Sequence, residues 1–480
     1  MSFLKKYPLL ILFIFALSVR LIFLAYSWNS VPTLSGSDEE AYHLLGVNLL
    51  RYHTYGNPFT PSYQPEHAIS PGYPLLVATV YMMVGVKPHG VLIVQCILDS
   101  LTALLTCAIV LRLNGSQRTA MITGMLYALW PAALYYAQHL YTEPTLTLIF
   151  AVIFWLMIKP VRWRPVSLGA LCALALYIKS TVMLLPVITG LVLFMQSLSS
   201  DTCIRGERRK MWAFALGQTA VFVAIVIGLL APWAIRNKLA LGRLTFATLT
   251  EINFFTGSGT YTLAELQGEY LPGVMSPRYA YFFDKLVKQA ERENPRWQYR
   301  ENPSNSYTLE QMDPLVRTAR NIIVAHPVAF LKCHIKGALR GWLPEGNPAW
   351  FTMYMGYMTY TVAINQMSRL ILGGKLLAVP IKFLVTFFPF VIFYGLLITS
   401  AVLGAWRLFH RAPMIVLAIV MTVLFMTILP SIYYAGSDRY KLPVMPLMFV
   451  LAAFAPEFPE FFKRKNGKTV PAQLATLNGA

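Results

Sequence analysis

The sequence contains little charge for its length, because only 13% of its 480 residues are Asp, Glu, Lys or Arg. Soluble domains average about 25% charged residues, so a large soluble fold is excluded. Acidic residues are fewer than basic residues, 21 against 40, and the net charge is +19. The basic residues are spread over short connectors between apolar runs, which argues against a nucleic-acid-binding surface.

Cysteine is also scarce, with 5 residues. Four of them lie in apolar runs or in a basic connector: Cys96, Cys107, Cys172 and Cys203. This distribution predicts no disulfide framework. Three histidines share one polar segment without the spacing of a zinc or iron site: His43, His53 and His67. The sequence therefore predicts no zinc or iron site.

Apolar runs are abundant, since 56% of the residues are hydrophobic. Runs of about 18 or more apolar residues are long enough to cross a bilayer as helices. We therefore predict an all-α integral membrane protein with about ten transmembrane helices. The predicted spans are residues 7–26, 91–111, 120–137, 144–158, 166–178, 182–198, 214–233, 376–406, 414–432 and 442–455.

The basic connectors set the predicted orientation, because cytoplasmic loops carry an excess of Lys and Arg. Lys5 and Lys6 precede the first span, which we interpret as a retained helix and not a cleaved signal. The other connectors assigned to the cytoplasm are residues 112–118, 159–164, 205–210, 407–411 and 463–468. The apolar segment 72–86 is too short to span comfortably, and spanning would move connector 112–118 outside. We predict that it lies on the outer leaflet.

This topology divides the chain into four predicted regions. Residues 1–233 form a transmembrane catalytic module with a first external loop at 28–87. Residues 234–375 form an extracytoplasmic region that includes a basic interfacial helix around Lys332 and Lys336. Residues 376–456 form the C-terminal transmembrane helices, and residues 457–480 form a cytoplasmic tail.

Two acidic positions fall on the predicted outer face. Asp38 and Glu39 follow the first span, where Ser37 and Glu40 fit a helix-capping box. Glu143 precedes a proline at the start of a span, and an acid also suits that first turn. Each position alone has this structural interpretation. The alternative is that acids on one side of the membrane face a common catalytic cavity.

Three basic positions share that face: Lys179, Arg236 with the adjacent Asn237, and Arg439. Each alone is explained by a side chain that reaches toward lipid headgroups. Positive charge on the outer face nevertheless runs against the usual loop bias. Beside two acids, the three positions indicate a pocket for an anionic group such as a phosphate or diphosphate.

These residues resemble, in chain order, motifs of the GT-C glycosyltransferases. The similarity is closest to the protein O-mannosyltransferases and the lipid A aminoarabinose transferases, and it covers residues 1–456. The motifs are Asp38-Glu39-x-x-Tyr42, Glu143-Pro144, Lys179, Pro232-Trp233-x-x-Arg236-Asn237 with the later Gly257, and Arg439-Tyr440-x-x-Pro443-x-x-Pro446.

The resemblance implies a GT-C-like bundle with extracytoplasmic juxtamembrane helices. It implies a glycosyltransferase that moves a hexosyl or pentosyl group from a polyprenyl-phosphate donor to an acceptor hydroxyl or phosphate on the extracytoplasmic side, with inversion. The acceptor class stays open between protein, lipid and glycan. The implied location is a bacterial plasma membrane, with membrane lipid as a further partner and no nucleic acid. The alternative is a multi-span lipid or glycolipid transporter or flippase.

The resemblance also implies roles for individual residues. The implied catalytic residues are Asp38, Glu39 and Glu143, with Asp38 as the general base. The implied donor phosphate-binding residues are Lys179, Arg236 and Arg439. The implied substrate-binding residues are Tyr42, His67, Asn237 and Tyr440. No cofactor is obligatory, and dependence on a divalent metal stays open.

Overall fold

The computed structural model describes residues 7–28, 38–57, 64–158, 163–199, 208–269, 271, 277–299, 307–342, 381–428 and 438–455. Across these ranges the chain is helical, and the β-pairing is one isolated bridge between Gly56 and Pro65. The all-α prediction is confirmed. Ser37 of the predicted capping box, residues 343–375 of the predicted external region, and the predicted tail lie outside the described residues.

The first half of the chain contains ten helices within these ranges. They are α1 (Pro8–Tyr26), α2 (Asp38–Tyr52), α3 (Gly72–Val84), α4 (Pro88–Arg112), α5 (Gln117–Ala128), α6 (Pro131–Tyr136), α7 (Glu143–Ile158), α8 (Arg164–Ile178), α9 (Leu185–Leu198) and α10 (Arg208–Leu241). A 3₁₀ turn, Ser180–Val182, precedes α9.

The second half continues with a group of shorter helices and then with more apolar ones. They are α11 (Leu249–Asn253), a π-helical turn (Phe254–Gly259), α12 (Thr260–Leu266), α13 (Pro277–Glu293), α14 (Leu309–Ala325), α15 (Pro327–Trp342), α16 (Ile381–Phe409), α17 (Pro413–Ile428), α18 (Asp438–Lys441), a 3₁₀ turn (Leu442–Val444) and α19 (Met445–Ala452).

Five segments of the described chain are long and apolar enough to cross a membrane: Pro8–Tyr26, Pro88–Arg112, Ser180–Leu198, Arg208–Leu241 and Phe387–Phe409. Four shorter apolar helices accompany them: α3, α7, α8 and α17. The protein is therefore a multi-pass membrane protein. The total of about ten spans stays a prediction. Helix α3 has 13 residues, so it is about 20 Å long against a hydrocarbon core of about 30 Å.

The core of the bundle is built around α4, which packs against α1, α5 and α7. An ion pair is buried between these helices, where Arg20 Nε lies 2.7 Å from Asp99 Oδ2. The Tyr127 hydroxyl donates to Asp99 Oδ1 at 2.5 Å, and all three residues are fully buried. Arg20 Nη1 also donates to the carbonyls of Ala16 and Ala128. The network ties α1, α4 and α5 together within the apolar bundle.

The predicted continuous span 120–137 is wrong, because α5 ends at Ala128 and α6 begins at Pro131. Trp130 has extended backbone angles, φ −65° and ψ 121°. A residue before proline is pushed away from helical angles, and proline offers no N–H to continue the ladder. Pro131 is therefore the residue in the sequence that indicates the break. The break turns the chain toward the segment that leads into Glu143.

Helix α10 does not end at Trp233, where the predicted seventh span ends. Helix α10 continues to Leu241 with Pro232 inside it, so Arg236 and Asn237 lie within the helix. The last two turns are anchored by tertiary contacts. Trp233 Nε1 donates to the Phe246 carbonyl at 2.9 Å, and Asn237 Nδ2 donates to the Thr245 carbonyl at 2.9 Å. These contacts compensate for the helix bond that proline removes.

Helices α11 to α15 and the π-helical turn form a subdomain after α10, with its own apolar core around Phe255, Leu286 and Leu315. Gly259 sits where a Cβ atom would lie 2.7 Å from the Cβ of Ala319, so glycine permits this close approach. The predicted basic helix is α15. Lys332 is exposed there, while Lys336 Nζ pairs with Glu265 at 2.7 Å.

Candidate active site

Four charged side chains form a continuous row, which we call the charge cluster: Asp38, Arg439, Glu143 and Lys179. Arg439 Nη1 donates to Asp38 Oδ2 at 2.6 Å, and Arg439 Nε donates to Glu143 Oε1 at 2.7 Å. Lys179 Nζ donates to the same Glu143 oxygen at 2.5 Å. Acid and base alternate along the row, and the formal charges cancel.

Each member of the charge cluster lies at the end of a helix or in a break between helices. Asp38 begins α2 and Glu143 begins α7, where helix dipoles favour carboxylates. Lys179 is extended, with φ −153° and ψ 111°, between α8 and the following 3₁₀ turn. Arg439 lies in the single turn of α18, before the last apolar helix. Because the four side chains touch, these helix ends share one end of the bundle.

Burial differs sharply along the row. The side chain of Glu143 is 0% exposed and that of Lys179 is 8% exposed, whereas Arg439 is 16% and Asp38 is 58% exposed. The inner pair is thus a buried salt bridge, and the outer acid faces solvent. Burial disfavours the charge of Arg439, but Glu143 and then Asp38 outweigh it and raise the pKa of Arg439 well above its ordinary value. Arg439 therefore stays charged.

Tyrosine rings surround the two cations. The guanidinium carbon of Arg439 lies 4.1 Å from the centre of the Tyr141 ring, and Lys179 Nζ lies 4.5 Å from that of Tyr440. Such placement over aromatic faces stabilises a desolvated cation. Burial raises the pKa of Tyr440 to about 12. Burial, and then the Asp38 carboxylate, also raise the pKa of Tyr42. Both phenols therefore remain protonated and can donate hydrogen bonds.

Glu39 is next to Asp38 in sequence but contacts a different part of the structure. Its Oε1 accepts from His139 Nδ1 at 3.0 Å, and its Oε2 accepts from the Leu140 backbone N–H at 3.0 Å. Both carboxylate oxygens thus bind the segment that leads from α6 to Glu143. These contacts favour a positioning role for Glu39, because neither oxygen is left without a donor. Its predicted catalytic role stays a prediction.

Arg236, His67 and Asn237 form a second group. Arg236 Nη1 donates to the Glu66 carbonyl at 2.8 Å and to Asn237 Oδ1 at 2.9 Å, while Nη2 donates to the Tyr55 carbonyl at 2.9 Å. His67 Nδ1 lies 2.7 Å from Thr248 Oγ1. This group joins Tyr55, Glu66 and His67 to the end of α10 and to the residue before α11.

The sequence analysis placed Arg236 in one pocket with Lys179 and Arg439. Among the described contacts, Arg236 binds backbone carbonyls and Asn237, and none joins it to the charge cluster. Burial lowers the pKa of His67, so this histidine is neutral near pH 7. The structure thus brings together Asp38, Glu143, Lys179, Arg439, Tyr42 and Tyr440, and it groups Arg236, Asn237 and His67 separately.

Lys441 was given no role in the sequence analysis. It is 3% exposed, donates to the Gly341 carbonyl, and lies 5.2 Å from the Trp342 ring centre and 5.5 Å from that of Tyr394. Its position two residues after Arg439 links the end of α15 to the charge cluster. The described part of the chain contains no group of three or more His, Cys, Asp or Glu residues that could hold a metal ion.

Comparison with known proteins gives a distant structural likeness. No protein-family model and no curated protein sequence matches the chain. Two crystal structures of ArnT from Cupriavidus metallidurans are similar to it in fold, each at 17% sequence identity. The structure bound to undecaprenyl phosphate has a TM-score of 0.38 and covers 93% of this chain and 77% of ArnT. The apo structure has a TM-score of 0.31 and covers 87% and 71%.

Proposed function

We propose that this protein is a membrane glycosyltransferase that takes a sugar from a polyprenyl-phosphate donor. The acceptor is a hydroxyl or phosphate of a protein, lipid or glycan on the extracytoplasmic side. The observation that carries the proposal is the charge cluster, an acid–base row built by helix ends distant in sequence. An anionic lipid headgroup at the membrane surface meets fixed cations there, next to a carboxylate that can accept a proton.

The cations suit a lipid phosphate as the leaving group. Charge builds on the phosphate as its bond to the sugar breaks, and donors fixed in advance stabilise that charge at no cost of rearrangement. Lys179 and Arg439 are held in place by Glu143 and by the rings of Tyr440 and Tyr141. Arg439 presents a planar guanidinium, which matches two phosphate oxygens at once.

Asp38 is the best candidate for the general base. It is the exposed acid of the cluster, at 58%, so an acceptor can approach it from solvent. Glu143 is buried and binds both cations, and Glu39 binds His139 and Leu140. Asp38 accepts the proton of the acceptor hydroxyl as that oxygen bonds to the anomeric carbon. With no enzyme nucleophile, this single displacement inverts the anomeric centre.

Arg236, Asn237 and His67 have a supporting role in this proposal. Arg236 binds two carbonyls of the first loop region, and Asn237 is fully buried. They tie Tyr55, Glu66 and His67 to the end of α10 and to the residue before α11. We place the protein in a bacterial plasma membrane, with the charge cluster on the extracytoplasmic face.

The test is the release of polyprenyl phosphate. Purified protein in nanodiscs receives a polyprenyl-phosphate sugar labelled in the sugar, together with an extract of the cell envelope as the acceptor source. We expect free polyprenyl phosphate and label in the acceptor fraction. The control is Asp313→Asn, which alters a carboxylate that is also 58% exposed and also bound to an arginine, but outside the cluster. A transporter would move the donor and leave it intact, and that outcome would refute the proposal.

A further inference from the structure

We infer that Arg439 is shared in turn by two anions, so that the donor phosphate displaces Asp38 from the guanidinium and thereby frees the general base. This rests on the proposed function, and it adds an order of events to it. Asp38 stays bound to Arg439 until the donor arrives. An acceptor that enters first meets a carboxylate with one oxygen, Oδ2, held by Arg439. We therefore expect the donor to bind before the acceptor is activated.

The two bonds of Arg439 differ in how easily they exchange. The bond from Nε goes to Glu143, which is 0% exposed and also holds Lys179. Breaking it would separate two opposite charges where water has little access, which is unfavourable. The bond from Nη1 goes to Asp38, which is 58% exposed and is solvated at once when released. Exposed ion pairs contribute little to stability, so the Asp38 bond is the one that an incoming anion replaces.

The charges match a one-for-one exchange. Asp38 and Glu143 carry two negative charges, and Lys179 and Arg439 carry two positive charges. A polyprenyl-phosphate sugar is a phosphodiester with one negative charge, the same as the carboxylate it replaces. The site therefore remains neutral when the donor phosphate takes the position of Asp38 on Arg439.

The proposed chemical step is a single displacement at the anomeric carbon. The acceptor O–H gives its proton to Asp38, and the acceptor oxygen forms a bond to the anomeric carbon. The bond from that carbon to the phosphate oxygen breaks, and its electron pair leaves with the polyprenyl phosphate. The product is a phosphomonoester with up to two negative charges. Asp38 is neutral at that moment, so it does not compete with the product for Arg439. Loss of the proton from Asp38 to solvent allows the carboxylate to return and to expel the product.

The inference is tested by binding of farnesyl phosphate, a short polyprenyl phosphate, to the purified full-length protein in detergent. We expect Asp38→Asn to bind it more tightly than the wild type, by about threefold to tenfold, because the competing carboxylate is gone. Asp313→Asn should bind like the wild type, and farnesol should not bind at the site. Ordinary loss of a binding residue would change the affinity in the opposite direction.

A second variant shows whether the competition acts through Arg439. In an Arg439→Lys background, Asp38→Asn should no longer tighten binding, since lysine lacks the two-pronged donor geometry. If the Arg439→Lys protein does not fold, the affinity of Asp38→Asn alone decides the inference. Equal or weaker binding by Asp38→Asn, with farnesyl phosphate still bound by the wild type, overturns the exchange and leaves the glycosyltransferase proposal standing. Absence of binding to any variant, together with absence of sugar release, overturns both.

Discussion

Glu143→Gln tests whether the buried acid holds the charge cluster together. The carboxylate is 0% exposed and lies 2.5 Å from Lys179 Nζ and 2.7 Å from Arg439 Nε. Glutamine keeps the shape and one acceptor oxygen but leaves both cations without their buried counter-charge. Removing one partner of a buried pair costs about 3–5 kcal/mol. We therefore expect a large fall in the midpoint of thermal unfolding, measured by intrinsic fluorescence of the purified protein in detergent.

Two comparison variants show whether the loss of stability comes from the buried ion pair. Asp38→Asn removes an acid that is 58% exposed, so it should change stability by no more than about 1 kcal/mol. The double variant Glu143→Gln with Lys179→Met removes acid and cation together and should recover most of the lost stability, although not activity. The reasoning is refuted if Glu143→Gln unfolds at the same midpoint as Asp38→Asn. It is also refuted if the double variant unfolds at the same midpoint as Glu143→Gln.

Three further predictions concern topology, donor binding and the buried network. Single cysteines at Lys87 and Arg118 should differ in intact spheroplasts, with an impermeant maleimide labelling Lys87→Cys only; label at Arg118→Cys alone would reverse the topology. Lys179→Ala should weaken binding of a polyprenyl-phosphate sugar by about 1.5–3 kcal/mol. Lys332 is exposed on α15, so Lys332→Ala should weaken this binding by at most about 1 kcal/mol. Equal losses for the two variants would indicate that the basic residues attract lipid headgroups in general and do not form a specific phosphate pocket. Asp99→Asn leaves Arg20 buried without its acid, so the unfolding midpoint should fall steeply; an unchanged midpoint would show that the pair contributes little to the fold.

The helical class and most helix positions follow from the sequence because apolar runs of bilayer length have few alternative structures. The errors occur at prolines. Pro131 ends a predicted span early, while Pro232 lies inside a helix that continues. The same residue type has opposite outcomes because the contacts of Trp233 and Asn237 with the segment after α10 hold the helix in place. Those contacts depend on tertiary structure and are not visible in a local pattern.

The members of the charge cluster could be proposed from sidedness, but their contacts could not. Asp38 and Arg439 are 401 residues apart in the chain, and Glu143 and Arg439 are 296 residues apart. Topology assigns such residues to one face without saying which of them touch. Arg236 illustrates the limit, since it shares the predicted face but binds the carbonyls of Tyr55 and Glu66. Arg236 and the charge cluster differ in their lateral position within the bundle, and the charges of the loops do not predict that position.

The Arg20–Asp99 pair was missed although its signal was present in the sequence. Both residues interrupt runs that are otherwise apolar, and an ionisable residue at membrane depth requires a partner. The predicted site was assembled from charges at the ends of spans, and charges within the spans were left out. Pairing Arg20 with Asp99 would still have required knowledge that α1 packs on α4. The presence of the charges was therefore predictable, and their pairing was not.

The most direct test of the central claim is the rate of sugar transfer by Asp38→Asn. The wild type, Asp38→Asn and Asp313→Asn are compared in nanodiscs by the rate at which polyprenyl phosphate is released from a labelled polyprenyl-phosphate sugar. Loss of a general base lowers the rate by about 10²-fold or more, so Asp38→Asn should fall by at least that factor while Asp313→Asn keeps the wild-type rate. A near-normal rate for Asp38→Asn would contradict the account and would transfer the role of the base to another acid.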